Sequence, residues 1–219
     1  MEKEEILKKI YEVGVVPVVR ASSTDEAMRV VEAIREGGVN VVEITMTVPR
    51  AVRVIESVTD AYGDSVVVGA GTVLDAETAR ACMLAGARFV VSPALDTDTV
   101  ECCRRHGVAV MPGALTPTEV VRAWQAGADV VKVFPCGALG GASYVKSLKA
   151  PLPQIELMPT GGVSLSTAAE FIKAGAFALG VGADLVDTKA IREGRPEAVS
   201  ESARAYVEAV RAARGASAV

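Results

Sequence analysis

Three ionisable residues interrupt stretches that otherwise read as apolar strands: Arg20 in GVVPVVR (14–20), Glu43 in EGGVNVVEIT (36–45) and Lys132 in DVVKVFP (129–135). Lysine is almost never fully buried unless paired, yet Lys132 is flanked by Val130, Val131, Val133 and Phe134. Burial disfavours an ammonium ion, and a neutral amine attacks carbonyl carbon to form a Schiff base. The protonated imine then draws electrons from the neighbouring carbon–carbon bond, which can break. A carboxyl group such as Glu43 can move the protons needed for carbinolamine formation, dehydration and enamine protonation. Together these residue types imply metal-free carbon–carbon cleavage through a lysine imine, provided the fold brings them to one place.

That placement rests on a repeated unit of one strand and one helix. LAGARFVVSPA (84–94), RHGVAVMPGA (105–114), QAGADVVKVFP (125–135) and KAGAFALGVGA (173–183) follow the pattern of 36–45. In each, a helix ends at Gly, the usual residue for a left-handed cap, and a short apolar strand follows. GVVPVVR, SVVVGAGT (65–72) and QIELMPTGG (154–162) complete eight strands. The strands are near-continuously apolar, as in a parallel sheet covered on both faces. Helical patterns such as STDEAMRVVEAIREG and TPTEVVRAWQAG open on Ser or Thr, which are good N-caps. Eight such units in 219 residues predict one α/β domain over 1–219, a single (β/α)8 barrel with an N-terminal helix. An open doubly wound sheet is the competing architecture, but no strand leads into GxGxxG or GxxxxGK[ST].

In such a barrel the chemistry sits at the C-terminal ends of the strands, where Arg20, Glu43 and Lys132 fall. Glu156 lies near the start of its strand and is expected at the opposite rim, without a role. Strands two and six lie opposite one another, so Glu43 and Lys132 are expected to face a common space. A buried salt bridge alone would contribute little stability.

The remaining composition mostly excludes. A net charge of -4 argues against a nucleic-acid footprint. The stretch MEKEEILKKI lacks the apolar centre of a secretion signal, and no apolar run approaches a bilayer span. Four cysteines without a CxxC pair, Cys82, Cys102, Cys103 and Cys136, suit a reducing, cytoplasmic setting. His106 after CCRR lacks metal-ligand spacing, so no metal and no cofactor are expected. Cys136 has no histidine on its loop and is expected to be a space-filling thiol. Thr116 and Thr118 are expected to start a helix.

The motifs VVEITMT, GAGTVLD, VSPALD, MPGALTPTE, VVKVFP and MPTGGV occur in order at these strand ends. Together they resemble the 2-keto-3-deoxy-6-phosphogluconate (KDPG) and 4-hydroxy-2-oxoglutarate (KHG) aldolases, over nearly the whole chain. The resemblance implies a cytosolic, trimeric barrel that cleaves a keto acid to pyruvate and an aldehyde, glyceraldehyde 3-phosphate in the KDPG case. It implies Lys132 as the Schiff-base lysine, Glu43 as acid/base and Thr72 as a hydrogen-bond donor to the pyruvate carboxylate. Pro93 and Phe134 would line the pocket. Thr160, Gly161 and Gly162, with Gly182 and Ala183, would surround a distal phosphate at helix N-termini.

This sequence departs from that pattern twice. Thr47 stands where some members carry an arginine for the pyruvate carboxylate, which makes Arg20 the candidate cation. Ala183 replaces a serine whose hydroxyl meets the phosphate, which weakens phosphate binding and favours substrates without one. The same residues leave other readings open: cleavage of 2-keto-3-deoxy-6-phosphogalactonate, sugar-phosphate isomerisation or epimerisation on the same barrel, and a non-catalytic oligomeric scaffold. The expected partner is a small keto acid, with no nucleic acid and no membrane.

Overall fold

In a computed structural model that describes residues 1–215, helix α1 (Lys3–Val13) precedes a run of parallel strands and helices. The last four residues of the domain expected over 1–219 lie outside the described residues. The strands are β1 (Val15–Val19), β2 (Val41–Thr45), β3 (Val67–Gly71), β4 (Phe89–Val91), β5 (Ala109–Met111), β6 (Gly113–Ala114), β7 (Val131–Val133), β8 (Leu157–Pro159) and β9 (Leu179–Val181). The intervening helices are α2 (Thr24–Glu36), α3 (Ala51–Tyr62), α4 (Ala76–Leu84), α5 (Thr97–Arg105), α6 (Pro117–Ala126), α7 (Ala142–Lys149), α8 (Ala168–Lys173) and α9 (Thr188–Arg192). A long α10 (Glu197–Gly215) ends the described chain.

The strands form two parallel sheets, ordered β5-β4-β3-β2-β1-β9 and β6-β7-β8. The strand expected across 105–114 is divided at Pro112, which has no N–H to give to a ladder. Its carbonyl still accepts from Lys132 N at 2.9 Å, and Val110 O accepts from Asp129 N at 3.0 Å. On the other side, a single parallel bridge joins Thr160 to Gly180, and Phe177 N donates to Leu157 O at 2.8 Å.

Alternation along each strand divides the apolar residues into two cores. Val15, Val19, Val42, Ile44, Val68, Val90, Val131 and Leu179 face outward and pack with the helices. Val16, Val41, Val67, Phe89, Ala109, Met111, Val130, Met158 and Ala178 face inward, joined by Ile6 and Ile10 of α1. The N-terminal helix thus covers the end of the inner core at the starts of the strands. Moving two residues along the same inner rows replaces Val41 by Glu43 and Val130 by Lys132, so the apolar filling ends where the ionisable residues begin.

Candidate active site

Glu43 is in β2, level with Val18 of β1 and Gly69 of β3. It is 1% exposed, and neither carboxyl oxygen has a hydrogen-bond partner. Burial pushes its pKa above the ordinary glutamate range, although the Lys132 and Arg20 charges pull it part of the way back. Gly71 leaves room for this side chain: a Cβ there would lie 1.8 Å from Glu43 Oε1. The GAGT loop therefore supports the acid through the absence of a side chain.

Lys132 is the middle residue of β7, level with Gly113 of β6 and Met158 of β8, and 4% exposed. Its Nζ stands over the Phe134 ring at 5.1 Å from the centroid, a face that favours a cation, whether an ammonium or an iminium. Among the described residues no ion pair joins Lys132 to Glu43, whose oxygens remain unpartnered. The two share a field without forming a closed salt bridge. Along the hydrogen-bonded register Glu43 is level with Ala109, and Lys132 with Gly113 on the continuation of that strand. This stagger is that of tilted strands, so strand parity is only an approximate guide to which inner residues share a level.

Arg20 follows β1 directly and is exposed. It lines a cavity of about 240 Å³ with Phe134, Thr160, Gly161, Gly162, Gly182 and Ala183. Thr160 is buried and Gly180 approaches it closely; a Cβ on Gly180 would be 2.2 Å from Thr160 Oγ1. Pro93 lines a second cavity, about 320 Å³, of which Phe134 is also a wall. Its carbonyl carbon and oxygen lie so close to Gly113 that a Cβ there would meet them at 2.2 Å.

Thr47 and Thr72 line neither cavity. Thr47 is exposed, with its hydroxyl 2.6 Å from that of Thr45. Thr72 lies just past Gly71 and has a left-handed backbone, φ 57°, a genuine outlier for a β-branched residue.

The chain does not pass directly from Gly161, Gly162 or Gly182 into α8 or α9. Helices α8 and α9 are short and begin at Ala168 and Thr188. The chain after Gly182 instead makes a single uncontinued turn, with Leu185 N and Val186 N donating to Gly182 O.

Other residues fall where their types suggest. Thr116 caps α6 in a reciprocal capping box with Glu119. Glu156 pairs with Lys149 at the far rim. The Cys136 thiol is pushed up to about 11 by burial, which keeps it from acting as a neutral-pH nucleophile. His106 ends α5.

Residues 5–201 match the profile described as "Aldolase: KDPG and KHG aldolase". The chain belongs to the KDPG and KHG aldolase family. Its reaction class is that of this aldolase family, carbon–carbon bond cleavage. A 2-dehydro-3-deoxy-6-phosphogalactonate aldolase of Escherichia coli is 36% identical over 90% of this chain and 95% of its own length. A 2-dehydro-3-deoxy-phosphogluconate aldolase of Treponema pallidum is also 36% identical, over 76% of this chain and 79% of its own. Among solved structures, a KDPG aldolase from Legionella pneumophila, with pyruvate captured as a covalent carbinolamine intermediate, superposes with TM-score 0.85 at 26% identity, covering 91% of this chain and 97% of that one. A designed cube-shaped cage made by fusing symmetric oligomeric domains superposes with TM-score 0.85 at 35% identity, over 93% of this chain and 74% of that one.

Two residues of this candidate site are not singled out by sequence alone. Gly71 was visible only as part of GAGT, because its value lies in a close approach that sequence spacing does not encode. Asp184 also lines the cavity of Arg20. It directly follows Gly182 and Ala183, and an ionisable residue beside an expected anion site was the signal available for it.

Proposed function

We propose that this chain is a class I aldolase in which Lys132 is the nucleophile and Glu43 the proton shuttle, acting at the mouth of a closed eight-stranded (β/α)8 barrel. Barrel closure is supported by the bonds from Asp129 and Lys132 across the two sheets and by the Thr160–Gly180 bridge. The observation that carries the mechanism is a buried Lys132 amine whose charge acts on a buried, unpartnered Glu43 carboxyl without an ion pair between them.

In this reading the Lys132 amine attacks C2 of the keto acid, giving a carbinolamine. Loss of water, assisted by a proton from Glu43, leaves an iminium. The C4 hydroxyl then gives up its proton to the Glu43 carboxylate, the C3–C4 bond breaks, and its electron pair moves into the iminium to form an enamine. The aldehyde departs. Protonation of the enamine at C3 and hydrolysis of the imine release pyruvate and restore the amine. The raised pKa of Glu43 suits a group that must give and take protons near neutral pH.

Thr72 is assigned to the pyruvate carboxylate; its left-handed backbone is the sort of local strain that recurs at functional sites. Arg20 supplies the cation that Thr47 lacks. Pro93 and Phe134 form the walls, while Thr160, Gly161, Gly162, Gly182 and Ala183 enclose the tail of the substrate. The substrates are KDPG, yielding pyruvate and glyceraldehyde 3-phosphate, and KHG, yielding pyruvate and glyoxylate. The galactonate epimer is a second reading, favoured by the E. coli relative at the same identity as the gluconate one. A homotrimer is proposed; the cage of fused oligomeric domains supports self-association, and sedimentation should give three times the chain mass. Four free cysteines fit the cytoplasm.

The deciding experiment is incubation with pyruvate and sodium borohydride, followed by intact mass and peptide mapping. A reduced pyruvyl adduct on Lys132 supports the mechanism. A folded protein that acquires none would instead favour a non-covalent isomerase or a scaffold.

A further inference from the structure

One buried carboxyl group has no part in the aldol chemistry. Glu26, in the first turn of α2, is 2% exposed, and glutamate is almost never fully buried unless paired. Its Oε2 accepts from the backbone N and the hydroxyl of Ser22, at 2.5 Å and 2.6 Å. Its Oε1 accepts from Nη1 of Arg192, the last residue of α9, at 2.6 Å. Burial alone would raise its pKa, but the Ser22 donors and the Arg192 guanidinium outweigh that and hold the carboxyl below the ordinary glutamate range. Glu26 is therefore a carboxylate at neutral pH, gripped from two sides.

These bonds tie together two segments at the strand ends. Ser22 lies two residues after Arg20, in the turn from β1 into α2, where Ser23 caps α2 by accepting from Glu26 N at 3.2 Å. Arg192 ends the helix that follows β9 and its loop at Gly182 and Ala183. Arg29 of α2 adds a second tie, donating to Ile191 O at 3.4 Å. Arg20 itself makes no ion pair among the described residues, so its backbone decides where its guanidinium can reach. That reach includes the neighbourhood of Glu43, on whose carboxyl the Arg20 charge acts. A buried ion pair is weak evidence for stability. A carboxylate that grips the turn beside an otherwise unheld cation has a use in placing it.

We propose that Glu26 is a positioning residue: by holding Ser22 and Arg192 it fixes the turn that carries Arg20, so that the guanidinium meets the carboxylate of the keto acid. This rests on the aldolase reading above, in which Arg20 is the cation for the pyruvate carboxylate. The test measures the pyruvate concentration that half-saturates the borohydride-trapped adduct, and the adduct formed at saturation. It compares the parent with Arg20→Ala, Glu26→Gln and Arg192→Met, and with each of the last two combined with Arg20→Ala. Arg20→Ala should raise the half-saturating concentration about tenfold, the scale of one hydrogen bond to a charged group. Glu26→Gln turns one acceptor into a donor, and Arg192→Met removes the guanidinium; each should raise it at least about threefold while the saturating adduct stays near the parent level. On the Arg20→Ala background neither should add more than about twofold, because no cation remains to be placed. Ile10→Ala loosens the fold from the opposite strand ends and should stay within about twofold of the parent. A rise below about threefold in any of the three site variants, or one above about twofold from Ile10→Ala or on the Arg20→Ala background, overturns the proposal. An intact Lys132 adduct then leaves the aldolase reading standing. If Glu26→Gln does not fold, Arg192→Met, at a half-exposed side chain, decides the question alone. A folded parent that forms no adduct overturns both.

Discussion

The Glu43 carboxyl combines full burial with two unpartnered oxygens, an arrangement that costs stability and suits the proton transfer proposed for it. Because burial raises its pKa above the unfolded value, the folded state holds more protons than the unfolded one. Stability attributable to this group is therefore greatest below the ordinary glutamate pKa and falls as pH rises through the raised value. Glu43→Gln removes that dependence. It should melt above the parent at about pH 7.5, by about 2–4 °C for each kcal/mol relieved, and converge with it near about pH 4. Calorimetry across this range checks the sign; a parent that melts as high as the variant at the upper pH would contradict it. The same variant should lose at least about a hundredfold in turnover, and one within about twofold of the parent would remove Glu43 from the mechanism. Lys132→Met should abolish both turnover and the pyruvyl adduct while retaining the circular dichroism of the parent; residual parental activity would sink the imine mechanism.

At the scale of elements, the strand ends hold these groups by close packing of backbone. Gly71→Ala would drive a methyl group into Glu43, whose Cδ would lie 2.4 Å from the new carbon. Either the acid or β3 must move, so activity should fall toward that of Glu43→Gln, with a loss of about 1–3 kcal/mol in stability. Steady-state kinetics with urea unfolding measures both effects, and parental kcat with parental stability would show that the site relaxes at no cost. The α6 capping box gives a contrasting case. Thr116 and Glu119 satisfy each other's backbone amides, so Thr116→Ala should cost about 1 kcal/mol and spare catalysis. Strand existence and order follow from the apolar repeat, and the α6 start from its cap. The division at Pro112 was present in the sequence as a proline, but its consequence depended on whether the lost N–H faced a partner strand.

Across the whole molecule, the interior is apolar at one end and ionisable at the other. Ile6 and Ile10 of α1 fill the first end with inward residues of several strands. Ile10→Ala should cost about 2–5 kcal/mol, read as a lower urea midpoint, with the pyruvyl adduct preserved because the site lies at the opposite strand ends. A variant that unfolds like the parent would mean that α1 merely lies against the inner core.

Short, near-continuously apolar strands, glycine-terminated helices and charged residues within those apolar runs were enough to indicate the α/β repeat, Lys132 and Glu43, because secondary structure and burial are written in local sequence pattern. They could not show that Lys132 and Glu43 lack an ion pair, that Gly71 makes room for the acid, or that Asp184 shares a cavity with Arg20. Those facts depend on how strands stagger and loops fold back, and on distances between residues far apart in the chain. Local sequence determined which residues were inside; tertiary packing decided which of them meet.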